Sequence, residues 1–300
     1  KSVRYVSEHS VRDVPGPYNY LGCPSWSENA WREGLYPHNA RPADFLSLYA
    51  QVFNAVEGNT TFYARPAPAT VARWVQSLPE HFRFTAKFPR DISHGADLRQ
   101  QLHAAQDFLH LLQPLGARVA PLWLQLPASF GPQRLAELVS FIDALERPLA
   151  IEVRHPEFFA KGDAEKRLNR LLMDRGVERI CLDSRALFSC TSTDPAVLHA
   201  QAKKPRVPPR PAAFTHFPQV RFIGRPELEA NDAYLIPWVE KVAGWIEEGR
   251  TPYVFLHTPD NHRAPELARR FHQQLSDRLP GLPALPQLSP PQTSEQLGLL

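Results

Sequence analysis

The chain has 300 residues, and 34 Lys and Arg against 31 Asp and Glu give it a net charge of +3. Hydrophobic residues make up 43% and charged residues 22%, which is ordinary for a folded protein and excludes a wholly disordered chain. A net charge of +3 is too small to indicate nucleic-acid binding by itself.

The number of cysteines and the composition of residues 1–18 indicate in which cellular compartment the protein functions. Three cysteines without a CxxC pair are too few for a disulfide framework and argue against a structural zinc site. Residues 1–18 contain no apolar stretch typical of a secretory signal, and no apolar run is long enough for a membrane span. We therefore expect a cytoplasmic protein without a membrane segment. The sequence leaves its oligomeric state open.

Eight short apolar runs rich in β-formers predict eight strands. They begin near Asn19, Phe53, Phe82, Pro121, Leu149, Arg179, Gln219 and Pro252. The runs are continuously apolar rather than alternating, as expected of parallel strands that helices cover on both faces. Roughly 30 residues separate successive runs, which suits a repeated strand–helix unit.

Helical periodicity fills the stretches between the strands. Leu135, Leu138, Ile142 and Leu145, for example, recur at the spacing of one helix face. Eight such units predict an α/β fold, a single (β/α)8 TIM-like barrel over residues 19–278, with a lead at 1–18 and a proline-rich tail at 279–300. The rival is a doubly wound open sheet, but Gly22 opens no GxGxxG fingerprint after the first strand.

Polar residues follow most of the predicted strands, at the end where TIM-like barrels place their active sites. The candidates for catalysis are Glu57, Lys87, Glu152, His155, Asp183 and His257. The candidates for substrate or anion binding are Trp26, Asn59, Gln125, Arg154, Arg221, Gly224, Arg225 and Thr258. The simpler alternative is a structural ring of ion pairs, because buried charges are tolerated only when they are paired.

Several motifs in the same order resemble one known family. They are GCPSW (22–26), VEGNTTFY (56–63), FRFTAKFPRDISH (82–94), LWLQLPASFGP (122–132), EVRHPEFF (152–159), CLDSR (181–185), RFIG (221–224) and YVFLHTPDN (253–261). Together they resemble the YecE-like family, a domain of unknown function, over nearly the whole folded part. The resemblance implies a TIM-like barrel and leaves the reaction open. Many members have Asn-Asn where this chain has His257-Thr258, so general proposals about Asn chemistry do not transfer.

An anionic small molecule, phosphorylated or sugar-like, is the ligand that these residues favour. The loops after strands seven and eight often hold phosphate in this fold, and here they supply Arg221, Gly224, Arg225 and Thr258. An Arg fork matches phosphate geometry, and carboxylates and histidines are suited to acid/base chemistry. The hypothesis is therefore an enzyme of unresolved reaction type that needs no cofactor.

Three alternatives remain open at this point. Glu57, Glu152, Asp183, His155 and His257 are potential ligands of a divalent metal, although none has tight ligand spacing. The basic, proline-rich segment 203–210 is a potential nucleic-acid contact. The PxxP spacing of Pro280, Pro283 and Pro286 is a potential partner-binding motif.

Overall fold

The computed structural model describes residues 16–288, and within this range it contains nine short strands. They are β1 (Tyr20–Cys23), β2 (Ala55–Gly58), β3 (Arg83–Ala86), β4 (Leu122–Gln125), β5 (Leu149–Glu152), β6 (Glu178–Arg179), β7 (Cys181–Asp183), β8 (Gln219–Ile223) and β9 (Tyr253–His257). Each of the eight predicted runs contains a strand, so the predicted strand positions are confirmed. The sixth run is interrupted at Ile180, which separates β6 from β7.

The strands pair in parallel and form two sheets. One has the order β3-β2-β1-β9-β8-β7, and the other has the order β4-β5-β6. The sheets are linked in two places, because β6 and β7 are successive pieces of chain and because Lys87, just after β3, bridges to Trp123 in β4. The mixed α/β architecture with parallel strands is confirmed, whereas the strand pairing by itself does not establish a closed eight-stranded ring.

Helices occupy most of the connections between strands. The α-helices of the described part are α1 (Phe45–Val52), α2 (Thr60–Tyr63), α3 (Pro68–Ser77), α4 (Arg90–Ser93), α5 (Leu102–Leu112), α6 (Leu135–Leu145), α7 (Asp163–Asp174), α8 (Arg185–Ser189), α9 (Pro195–Lys203), α10 (Asp232–Glu247) and α11 (Ala264–Arg278). Short 3-10 turns lie at Asn29–Glu33, Pro42–Asp44, Leu98–Gln101, Gln113–Arg118, Pro132–Arg134, Pro156–Phe159 and Glu229–Asn231. None of the helices between residues 16 and 288 is long and apolar enough to cross a membrane.

The hydrophobic core has an outer and an inner part. The larger cluster joins helix side chains such as Leu138 and Leu267 to outward-facing strand residues such as Val56. A smaller cluster joins side chains of the six-stranded sheet to side chains of the three-stranded sheet, and in it Trp123 of β4 packs edge-on against Phe255 of β9. The inner faces of the two sheets therefore pack against each other.

Gly22 allows a close approach between β1 and β2. A Cβ at this position would lie 1.9 Å from the carbonyl oxygen of Ala55 and 2.7 Å from the hydroxyl of Tyr49. That hydroxyl accepts the N–H of Cys23 at 2.7 Å and donates to the Ala55 carbonyl at 2.6 Å. The glycine thus leaves room for a side chain that ties the two strands together.

The predicted terminal segments are described only in part. Residues 1–15 of the lead and 289–300 of the tail lie outside the described residues. The start of the tail lies along α11, where Leu282, Leu285 and Leu288 pack on the core. Arg269 of α11 donates to the carbonyl of Pro286 at 2.7 Å.

Candidate functional site

Arg221 of β8 occupies the centre of a buried network of ion pairs. Its Nε lies 2.7 Å from Oε1 of Glu57 at the end of β2, and its Nη1 lies 2.6 Å from Oε1 of Glu152 at the end of β5. These three side chains are at most 2% exposed. Arg154 adds a second cation, because its Nε lies 3.0 Å from Oε2 of Glu152.

Both carboxyl groups are held in the ionised form. Burial by itself raises the pKa of Glu152, but the charges of Arg221 and Arg154 more than offset it, and the pKa falls to about 2. The same balance, with burial opposed chiefly by Arg221, holds the pKa of Glu57 well below its usual range. Neither group therefore carries a proton to donate near neutral pH.

Lys87 and Gln125 extend the network to the ends of β3 and β4. Lys87 Nζ donates to Oε1 of Gln125 at 2.7 Å, and Arg221 Nη1 approaches the same oxygen at 3.4 Å. The ammonium also lies 5.7 Å from the centre of the Phe62 ring. Burial, together with the nearby charge of Arg221, holds the pKa of Lys87 well below its usual value.

His257 and Asn59 complete the contacts of Glu57. His257 Nε2 lies 3.0 Å from Oε1 of Glu57, and Asn59 Nδ2 donates to Oε2 at 2.7 Å. Burial lowers the pKa of His257 to about 4, so its ring is neutral near pH 7. Because an ionised carboxylate only accepts hydrogen bonds, the neutral ring carries its proton on Nε2.

A cavity of about 390 Å³ opens above this network. Its lining is Pro24, Asn59, Phe62, Tyr63, Lys87, Arg90, His94, Gln125, Arg154, Lys203, Lys204, Arg221, His257 and Asn261. Six of these residues are Lys or Arg, and none of the described lining residues is Asp or Glu. The two carboxylates lie behind Arg221, so the surface that a ligand meets is cationic.

Lys204 belongs to this cavity, although the sequence placed it only in a basic loop. It follows directly after α9 and is half-buried. Burial, reinforced by the charge of Arg221, lowers the pKa of its ammonium to about 7. A pair of lysines at the end of a helix was the available signal, but nothing in the sequence indicated which strand ends lay opposite.

Eight of the predicted residues come together at this site. Six line the cavity, namely Asn59, Lys87, Gln125, Arg154, Arg221 and His257, and two, Glu57 and Glu152, lie behind Arg221. Asp183 does not join them. Its Oδ2 accepts the indole N–H of Trp238 from α10 at 2.7 Å and pairs with Arg185 at 2.9 Å. Asp183 thus faces the helix layer on the other side of the strand.

Gly224 and Arg225 also lie away from the cavity lining. Gly224 donates its N–H to the carbonyl of His257 at 2.8 Å. Arg225 Nε pairs with Glu227 at 3.1 Å, and its backbone N–H donates to Asn231. The predicted phosphate loop after β8 is therefore engaged by its own neighbours.

The other predicted positions border the site without lining it. His155 accepts the backbone N–H of Glu157 at 3.2 Å and begins the turn at Pro156–Phe159. Trp26 packs edge-on against Trp74 of α3. Thr258 is buried, and its Oγ1 has no hydrogen-bond partner within the described part of the chain.

The metal and nucleic-acid alternatives can be compared with the same geometry. Between residues 16 and 288, no three His, Cys, Asp or Glu side chains are grouped so that they could hold a metal ion.

In the basic segment 203–210, Lys203 lies over the ring of Tyr63 and Arg206 over that of Phe188. Arg210 pairs with Glu165 at 2.9 Å. Most of the segment's charge is therefore directed at the protein itself.

Comparison with known proteins gives a consistent result. Residues 20–293 match the model of a family described as "Protein of unknown function DUF72". The chain is 44% identical over 276 residues to the UPF0759 protein YecE of Escherichia coli (strain K12), covering 90% of this chain and 98% of that protein.

Solved structures share the fold at lower identity. A DUF72 family protein of Enterococcus faecalis V583 superposes with a TM-score of 0.66 at 18% identity, covering 92% of this chain and 99% of the other. One from Thermotoga maritima MSB8 gives a TM-score of 0.64 at 23% identity, covering 86% and 98%.

Proposed function

The chain belongs to the DUF72 family of proteins of unknown function, and we propose that it binds an anionic small molecule in the cationic cavity and transforms it by acid/base chemistry. The single observation that carries the proposal is the lining, with six Lys and Arg residues and no Asp or Glu among its described residues. Cations held in a partly desolvated cleft attract an anion far more strongly than they would in water.

Arg154 is the side chain best suited to grip the anion. It lines the cavity, its side chain is 19% exposed, and only its Nε is committed to Glu152. The remaining N–H groups match the oxygens of a phosphate or carboxylate. Arg221, by contrast, is paired with both Glu57 and Glu152, so we assign these carboxylates the role of orienting Arg221 rather than of moving protons.

Proton transfer falls to two other groups. His257 is neutral near pH 7 and touches Glu57, which fixes its tautomer. Lys204, with a pKa of about 7, holds and releases a proton in the same range.

Asn261 also lines the cavity, and its buried Oδ1 has no donor within residues 16–288, so a hydroxyl on the ligand would satisfy it.

A closed (β/α)8 barrel is the architecture that we propose around this cavity. Arg221 of β8 contacts Glu57 of β2, two strands beyond its neighbour β9, and also Glu152 of the other sheet, and these contacts support sheets that curl around a common axis. The bridge from Lys87 to Trp123 supports the same closure. Closure predicts slow hydrogen exchange at the amide of Phe88, which donates to Trp123 at 2.9 Å, and rapid exchange there would contradict it.

Anion binding is tested by titration calorimetry with pyrophosphate. We expect Arg154→Met to weaken binding about tenfold or more, since a hydrogen bond to a charged group is worth about 1.5–3 kcal/mol. Arg225→Met, which removes an equally basic residue outside the lining, is the matched control and should bind as the wild type does. Absence of binding to the wild type, or equal losses in the two variants, would sink the proposal.

A further inference from the structure

Lys204 differs from the other two lysines of the cavity in what its ammonium contacts. Lys87 Nζ donates to Gln125 and is buried, and Lys203 is exposed with its Nζ 5.5 Å from the centre of the Tyr63 ring. Within residues 16–288, Lys204 Nζ has neither a hydrogen-bond acceptor nor an ion-pair partner, although the residue is half-buried. A half-buried amine without an acceptor is a group whose contacts a ligand would complete.

The surroundings of Lys204 favour the uncharged amine. The cations that lower its pKa are Arg221 and Arg154, and its own charge in turn lowers the pKa values of Lys87 and His257. Glu57 and Glu152 act in the opposite sense, but each is already paired with Arg221. With its pKa lowered to about 7, Lys204 exchanges its proton near neutral pH, where an ordinary lysine stays charged.

We propose that Lys204 is a nucleophile that forms an imine with an anionic aldehyde or ketone bound in the cavity. The inference rests on the proposed function, because Arg154 and its neighbours hold the anionic group while the amine meets the carbonyl. A lysine surrounded by other cations in a partly buried site is the usual setting for an amine nucleophile.

The reaction needs no oxidant or cofactor. The nitrogen lone pair attacks the carbonyl carbon, a C–N bond forms, and the electrons of the C=O π bond pass to the oxygen. That oxygen then leaves as water and takes both hydrogens of the amine, so that a C=N bond remains. Added cyanoborohydride then delivers a hydride to the carbon while water supplies a proton to the nitrogen, and the resulting secondary amine is permanent.

The probe is pyridoxal 5′-phosphate, and pyridoxine 5′-phosphate is its counterpart without a carbonyl. We expect pyridoxal 5′-phosphate with cyanoborohydride to add one label per full-length chain, located at Lys204 by peptide mass mapping. Lys204→Arg should lose at least nine-tenths of the label, whereas the control Lys166→Arg, at an exposed lysine of α7 outside the cavity lining, should keep it. Pyridoxine 5′-phosphate should suppress the labelling by competition.

The two proposals fail in distinguishable ways. If pyridoxine 5′-phosphate binds but Lys204 is not labelled, or if Lys203 and exposed lysines are labelled equally, the nucleophile is wrong and anion binding stands. If Lys204 is labelled but pyridoxine 5′-phosphate neither binds nor competes, the amine is reactive but the anion site is wrong, and the inference falls with it. If the Lys204→Arg variant takes up as much label as the wild type, at other lysines of the chain, the inference is overturned as well.

Discussion

The guanidinium of Arg221 lies 2.6 Å from a carboxylate oxygen of Glu152, although the two residues belong to different sheets and are 69 positions apart in the chain. The opposite edge of the same guanidinium holds Glu57. One guanidinium therefore pairs with two carboxylates in a site where at most 2% of each side chain is exposed, and Arg154 supplies the second cation beside Glu152. A neutral side chain in place of this arginine leaves Glu57, within residues 16–288, with only the neutral ring of His257 as its ion-pair contact.

Replacement of Arg221 tests how far the fold depends on this arrangement. We expect Arg221→Met to lower the free energy of unfolding by about 3–5 kcal/mol, because breaking a buried pair leaves an uncompensated charge. The control is Arg65→Met, which removes an exposed pair of similar length, 2.9 Å to Asp91, whose side chains are 40% and 62% exposed. The control should cost at most about 1 kcal/mol. Similar urea denaturation midpoints for both variants would show that the central arginine is not the main stabiliser.

Acid should weaken the protein through the same carboxylates. The pKa of Glu152 is about 2 in the folded chain against about 4.5 when unfolded, so the unfolded state binds more protons as the pH falls. Stability from this group is thus complete above about pH 4.5 and is lost between about pH 4.5 and 2. Glu152→Gln should reduce the slope of unfolding free energy against pH by up to about 1.4 kcal/mol per pH unit.

Salt provides the control for that experiment. Added salt screens exposed ion pairs but acts only weakly on buried ones. The difference in slope between the wild type and Glu152→Gln should therefore persist at high salt. Parallel slopes for the two proteins would mean that Glu152 titrates alike in the folded and unfolded states.

The strands were predictable because their cause is local. Continuous apolar runs mark strands covered on both faces, and all eight predicted runs contain strands. The face of the strand on which a side chain lies was harder to predict from the sequence than the strand itself. Asp183 and Arg221 both follow or occupy such runs, yet Asp183 faces Trp238 in the helix layer while Arg221 faces the interior. Since successive residues of a strand alternate between faces, an uncertainty of one position reverses the assignment.

Contacts between residues far apart in the chain could not be predicted from the sequence, for a different reason. Residues 57 and 221 are 164 positions apart, and their contact depends on how the sheets curl. Lys204 was assigned to a basic, proline-rich segment because its neighbours are basic and proline-rich. The structure folds that segment across the strand ends, with Ser184 donating to the carbonyl of Pro205 at 2.8 Å. The cavity thus gains a lysine from a segment whose composition alone suggests a contact with nucleic acid.

The charge of Lys204 should make anion binding depend on pH. Sulfate is the suitable probe, because its own charge is constant between pH 6 and 8.5, whereas phosphate titrates in that range. As the pH rises through about 7, the Lys204 ammonium loses its proton and the cavity loses one positive charge. We expect sulfate affinity to fall by several-fold over this interval, at most about tenfold per pH unit.

Arginine at the same position provides the comparison. Lys204→Arg keeps its charge throughout the interval, so its sulfate affinity should change much less with pH. Calorimetric titrations at several pH values measure both curves. A pH dependence that is identical in the two proteins would assign the effect to another group, and Lys87, whose pKa is also depressed, would be the first to examine.

Replacement by alanine is expected to change the free energy of unfolding in opposite directions at two glycines, Gly22 and Gly244. Gly22 lies where a Cβ would come within 1.9 Å of the Ala55 carbonyl oxygen, and Tyr49 occupies the adjacent space. Neither obstacle is a flexible side-chain tip, because the carbonyl belongs to β2 and the Tyr49 hydroxyl bonds both strands. Gly22→Ala must therefore separate β1 from β2, and we expect it to abolish soluble expression or lower the free energy of unfolding by more than about 3 kcal/mol.

Gly244 lies within α10, and a Cβ there would meet nothing within 4 Å. Gly244→Ala should raise the free energy of unfolding by about 0.5–1 kcal/mol, because alanine loses less backbone entropy in a helix. Urea denaturation of the two variants beside the wild type measures both effects. A Gly22→Ala protein as stable as the wild type would mean that β1 and β2 do not approach as closely as described. A Gly244→Ala protein less stable than the wild type would mean that the space beside α10 is occupied.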